Sequence, residues 1–178
     1  MSRTITLNPL SISSIDNAIA EIRDYQRWVK QKTIQLAEAL SRVGIYEASF
    51  RFAGAMYDGN NDVSVERSQN NAGEYTITAK GQAVAFIEFG AGVYHNSSGA
   101  YPLPKPNGIV PIGTYGKGKG SRQGWVYPAD HGVGSSGVPL NSNWILTRGN
   151  PAAMPMYYAS KEMRDKLLAV AREVFGND

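Results

Sequence analysis

The chain has no cysteine and only two histidines, His95 and His131, among its 178 residues. Without cysteine there is no disulfide framework and no thiolate nucleophile or metal ligand, a composition that favours a reducing compartment or assembly inside a cell. Any metal site or acid–base pair has to use the two histidines with carboxylates such as Asp130 and Glu88. A hydrolytic triad would need Ser97, Ser98, Ser135 or Ser136 beside a histidine, and no nucleophile-elbow pattern occurs. No window approaches the roughly 18 uninterrupted apolar residues of a membrane span. Asn8, Pro9 and the serines after them interrupt the N-terminal apolar residues before a signal-peptide core forms. These absences predict a soluble chain that is cytoplasmic when made, has no catalytic machinery and no cofactor, and does not engage a membrane. The length suits one domain that buries roughly two thirds of its unfolded surface.

What charge there is lies unevenly. The formal net charge is +3. Residues 1–89 carry 9 basic and 10 acidic side chains and residues 151–178 carry 4 of each. Between 90 and 150, Lys105, Lys117, Lys119, Arg122 and Arg148 face Asp130 alone. That same stretch holds 13 of the 19 glycines and 6 of the 9 prolines. Within it, Gly113 to Gly120 comes within one residue of a phosphate-binding loop, but Gly120 stands where the magnesium-holding Ser or Thr is needed and Pro111 breaks the strand before it. Lys117, Lys119 and Arg122, with Tyr115 and Trp125 nearby, suit contact with a nucleic-acid backbone. They equally suit a solvated loop kept polar for solubility. Both readings stand at this point.

Residues 13–43 show the strongest period. Ile15, Ile22, Val29, Leu36 and Val43 recur every seven positions with Ile12, Ile19 and Leu40 offset, which puts one apolar stripe on a long helix. Ser13 with Asp16 forms a variant capping box, and Gly44 is placed to end or bend the helix, with 45–57 able to continue it. Gln26 and Thr33 interrupt the stripe, so packing across a sheet and against a neighbouring subunit explains the length better than a true coiled coil. VSVERS, EYTITAK and AVAFIEF read as three antiparallel strands with turns at Asn70 to Gly73 and Lys80 to Gln82, one face packing on the helix. Ile109 to Ile112, Trp125 to Tyr127 and Asn143 to Thr147 are candidate short strands in the glycine-rich arm. A last helix begins at Pro151 or Pro155, with Met156, Met163, Leu167, Val170 and Val174 on its apolar face. The expected fold is therefore α+β: a long N-terminal helix packed on a small antiparallel sheet, a long Gly/Pro-rich loop and a C-terminal helix. Its segments are 13–57 helical, 62–89 strands, 90–148 arm and 151–175 helix. On a strand, Phe86 and Glu88 share one face, so Glu88 either anchors an arginine such as Arg148 or sits solvated at a sheet edge. Trp125, Tyr127, Trp144, Met154, Met156, Tyr157 and Tyr158 form an aromatic and methionine concentration, expected to be about half buried within the subunit.

Two segments carry a family likeness. AVAFIEFGAG at 83–92 ends in an aromatic-Glu-aromatic-Gly-x-Gly run at Phe86, Glu88, Phe89, Gly90 and Gly92. NWILTRGNPAAMPMYYASKEMR at 143–164 holds Gly149, Pro151, Ala152 and Pro155 at the mouth of the last helix, set against a Gly-x-Pro-Ala-x-Pro segment. Together they resemble the head–tail joining and tail-completion (neck) proteins of long-tailed double-stranded DNA bacteriophages. The resemblance implies a virion protein, assembled in the host cytoplasm, that forms a homo-oligomeric, most plausibly hexameric, ring around the channel through which the genome is ejected. It implies a head-closure or adaptor protein on one side, a tail terminator or tail tube protein on the other, and DNA in the channel, with Lys117, Lys119 and Arg122 as candidates to face it. The chain departs from the pattern in the long loop between Gly92 and Trp144 and in Met156, where an aromatic is usual. A tail-terminator or minor capsid component, and a non-enzymatic DNA-binding accessory protein, are the alternatives.

Overall fold

The computed structural model describes residues 4–55, 62–90, 124–129, 137–147, 149 and 152–176. Helix α1 runs unbroken over Ile12–Gly54, 43 residues and about 65 Å at 1.5 Å per residue. Strands β1 (Ser64–Gln69) and β2 (Tyr75–Lys80) form a hairpin, followed by a short helix α2 (Val84–Phe89). Strands β3 (Trp125–Pro128), β4 (Gly137–Pro139) and β5 (Trp144–Thr147) form a second antiparallel sheet in the order β3-β5-β4. The last helix, α3, covers Pro155–Gly176. The architecture is the α+β arrangement expected: a long N-terminal helix, a small antiparallel sheet against it and a C-terminal helix.

The start of α1 lies one step from the expected position. Ser11, in extended conformation, is the N-cap and its hydroxyl accepts from Ser14 N, so the cap is Ser11 rather than Ser13. The helix neither ends nor breaks at Gly44. Gly44 is buried, and a Cβ there would come within 2.5 Å of Ile77 Cδ1 and 2.6 Å of Met163 Sδ. The missing side chain lets β2 and α3 approach α1 at one point, which is a packing role and not a stop signal.

The hairpin follows its turn chemistry. Asn70 Oδ1 accepts from Ala72 N at 2.9 Å and Glu74 N at 3.0 Å, and Gly73 takes φ 83°, a left-handed conformation that glycine adopts without steric cost. Val65 pairs with Ala79, Arg67 with Ile77 and Gln69 with Tyr75. Tyr75, Ile77 and Ala79 are half-buried against α1, while Thr76, Thr78 and Lys80 face out.

The expected third strand of this sheet does not form. Residues 84–89 are helical, so the predicted meander stops at two strands. A short apolar run does not distinguish a buried strand from a buried helical turn, and Ala83 and Ala85 favour the helix. Gly81 and Asp62 turn the chain into it: the Asp62 carboxylate accepts from Gln82 N at 2.6 Å and Ala83 N at 3.2 Å. Ile87 and Glu88, neighbours in sequence, are both buried, which a half-buried strand with its alternating faces does not permit.

Helix α3 packs antiparallel on α1. Arg51 lies over the Tyr158 ring at 4.1 Å near the start of α3, and the Trp28 and Phe175 rings meet edge-on at 5.8 Å near its end. Among the described residues the buried apolar side chains are Ala18, Ala48, Phe52, Ile87, Ile145 and Ala159. Beyond Trp28 the first turns of α1, residues 12–27, extend past the end of α3.

Candidate functional site

The two segments that carry the family likeness meet at one buried side chain. Glu88 is 3% exposed, its Oε2 accepts from Met156 N at 2.8 Å and its Oε1 from Tyr157 N at 3.0 Å. These partners lie 68 and 69 residues away in sequence. The N-terminal turn of a helix leaves its first amides without intrahelical acceptors and carries partial positive charge. α3 has no acidic residue of its own in that turn, and the residue before Pro155 is Met154, which cannot cap. Glu88 supplies from α2 the carboxylate that α3 lacks. Glu88 is a buried helix cap and not a solvated carboxylate at a sheet edge, and Arg148, the arginine expected as its partner, lies outside the described residues.

The rest of the junction reinforces this contact. Ala153 N donates to Ile87 O at 2.9 Å, tying the approach to α3 directly onto α2. Gly90 ends α2 at φ 76°, and Gly149 takes φ 90° while donating its N–H to Thr147 Oγ1 at 3.0 Å. Both glycines are buried, and at both the backbone takes a positive φ that glycine adopts without steric cost. Met154 also has positive φ, 55°, directly before the proline that opens α3. For a side chain with Cβ this costs about 1–2 kcal/mol, offset by the hydrogen bonds on either side of it. Pro155 is buried as the first residue of α3, which decides between the two expected starts. Of the motif positions, Phe86, Glu88, Phe89 and Gly90 on or at the end of α2 and Ala152 and Pro155 at the start of α3 lie at the contact between those two helices, Gly149 follows β5, and Gly92 and Pro151 lie outside the described residues.

The far end of α3 is capped by the same device. It has no basic residue in its last turn, and Lys32 of α1 donates from Nζ to Val174 O at 2.9 Å. Both charged ends of the helix are thus met by side chains from elsewhere in the chain.

Lys117, Lys119, Arg122, His95 and His131 lie outside the described residues, as does the candidate strand Ile109 to Ile112. The strands expected at Trp125 to Tyr127 and Asn143 to Thr147 form as β3 and β5. Of the aromatic and methionine concentration, Met154, Met156, Tyr157 and Tyr158 are half-buried and Trp144 is 45% exposed, while the side chains of Trp125 and Tyr127 lie outside the described residues. Among the described residues no group of three or more His, Asp or Glu could hold a metal ion, and no helix is long and apolar enough to cross a membrane.

What the described surface offers is apolar. Ile12 is 80% exposed, Ile15 36%, Ile19 41% and Ile22 46% along the projecting start of α1. Tyr46 and Phe50 stack on each other on another part of α1, both largely exposed. Val126, Val138 and Trp144 occupy the outer face of the second sheet, Val126 and Val138 both paired with Leu146, while Ile145 and Thr147 are buried on its inner face. Scattered exposed apolar residues are ordinary, but rows of them on regular elements are the usual mark of contact with another protein. No protein-family model, curated protein or solved structure matches the chain.

Proposed function

We propose that this chain is a structural subunit of a long-tailed phage virion, acting at the head–tail interface in tail completion or head–tail joining, as a ring around the DNA channel. The observation that carries this is the Glu88 junction. The sequence likeness to neck proteins rests on two segments far apart in the chain, and these meet where Glu88 of α2 caps the start of α3, with Gly90 ending α2 and Pro155 opening α3. A chance likeness in two separate stretches has no reason to converge on one contact. Rows of exposed apolar residues on α1 and the second sheet also fit a subunit that completes itself against neighbours, and six copies match tail symmetry. The ring would dock a head-closure or adaptor protein on one side and a tail terminator or tail tube protein on the other.

The competing reading is a DNA-binding accessory protein that uses Lys117, Lys119 and Arg122, and it rests on the concentration of positive charge between 90 and 150. Electron microscopy of lysates from a phage carrying a stop codon at Trp28 separates the two. A joining role yields filled heads beside complete, unattached tails. Normally joined particles would rule that role out and leave the DNA-binding reading.

A further inference from the structure

Two surfaces of this chain complement each other and cannot meet within one copy. The first is the isoleucine row of the projecting start of α1, Ile12, Ile15, Ile19 and Ile22, all exposed beside a buried Ala18 on the same side of the helix. The second is an open groove of about 250 Å³ where α1, β2 and α3 converge, with Leu40, Tyr75, Ile77, Ala159 and Met163 among its walls. A cavity of about 150 Å³ already takes a benzene-sized group, so this one has room for a pair of branched aliphatic side chains one helical turn apart. Row and groove sit roughly 20 residues apart on the same unbroken helix, about 30 Å along a rigid rod. The arm cannot fold back into its own groove.

We propose that the groove receives the arm of a second copy of this chain, with Ile19 and its neighbours Ile15 and Ile22 seated between α1, β2 and α3. The polar edges match as well. Arg67 stands at the groove, its Nη1 donating to Ser41 Oγ at 3.2 Å and its guanidinium 5.2 Å from the Tyr75 ring centroid, and among the described residues no carboxylate meets it. Asp16 lies one turn from Ile12 and Ile19 and adjoins Ile15 on the arm, so it borders the row that enters the groove and brings a carboxylate to that edge. A knob on one face that fits a groove on a different face makes a head-to-tail contact, which closes into a ring where the rotation allows. The size of the contact agrees with that outcome. One helical face about 24 Å long and 10–12 Å wide covers about 300 Å², well below the ~800 Å² per partner of a stable pair. In a closed ring each copy gives one arm and receives one, and every contact becomes intramolecular in effect. The inference deepens the ring reading above by naming the contact between its subunits.

The absence of native cysteine makes the test clean. In purified full-length protein, Ile19→Cys combined with Ser160→Cys should give, on mild oxidation at high protein concentration, a ladder of covalent multimers that reductant collapses. The single variants mixed together should give dimers only, and either alone should stay monomeric on a non-reducing gel. Ile15→Cys and Ile22→Cys, each with Ser160→Cys, cover the neighbouring registers along the groove. Cross-linked dimers from Ile19→Cys alone would mean that arms pair with arms, and no multimers from any of the three double variants would mean that the groove is not the receptor. Either result overturns the proposal. Cross-linking that succeeds while the stop-codon phage joins heads to tails removes the neck reading and keeps this contact, and unjoined heads and tails with no cross-link do the reverse.

Discussion

Glu88 is the residue on which the most structure depends, because a single carboxylate closes the start of α3 and fastens it to α2. Hydrogen bonds to a charged acceptor contribute about 1.5–3 kcal/mol, and an amide left buried without an acceptor costs about 1–3 kcal/mol. Glu88→Ala should therefore lower stability by about 2–4 kcal/mol, read as a fall in Tm of roughly 5–15 °C for a chain of this size. Glu88→Gln keeps the shape and one acceptor oxygen but turns an amide group toward the second N–H, and should lose about half as much. Thermal unfolding followed by circular dichroism measures both. An Ala variant as stable as the parent would mean that α3 is capped by something else. Little of this was legible in the sequence, where Glu88 sits in an apolar run with nothing beside it to indicate its partners. One signal did exist: a helix opening at Pro155 with no Ser, Thr, Asp or Asn before it and no acid in its first turn needs a cap from a distant part of the chain.

At the scale of elements, the long helix and the hairpin were legible because periodicity and turn chemistry are local. The seven-residue spacing from Ile15 to Val43 indicates α1, and Asn70 with Gly73 indicates the turn between β1 and β2. The meaning of Gly44 was not, since glycine in a helical pattern reads the same whether it ends the helix or lets a neighbour in. The crossing geometry predicts a contrast between two substitutions. In Gly44→Ala the gain in helix propensity of about 1 kcal/mol offsets displacement of the flexible tips of Ile77 and Met163, and stability should change little. Gly44→Val brings two further methyl groups to the same point and should cost about 1–3 kcal/mol by overpacking. Chemical denaturation measures both, and a Val variant more stable than the parent would show that α1, β2 and α3 do not approach there. The segment 84–89 reads ambiguously for a related reason: six apolar-rich residues fit strand and helix equally, and only the burial of both Ile87 and Glu88, adjacent in sequence, decides.

For the whole molecule, the sequence indicated the α+β class and the order of its main elements, while the way its ends and surfaces are used emerged only in three dimensions. α3 is held at its N-terminus by Glu88 and at its C-terminus by Lys32, both from outside its own sequence. The apolar row at the start of α1 reads in sequence as the beginning of one core stripe, yet among the described residues the α1–α3 packing ends near Trp28 and Phe175, and Ile12, Ile15, Ile19 and Ile22 stand exposed beside a buried Ala18. A stripe that runs past its own core is intelligible in a subunit whose core is finished by its neighbours. The most direct measurement of that account is cryo-electron microscopy of intact virions, with the structure fitted into the density between head and tail. The account predicts a ring of six copies around the DNA channel, each with the start of α1 crossing onto the next copy. Absence of this fold from the head–tail interface, or its presence elsewhere in the particle, would contradict it.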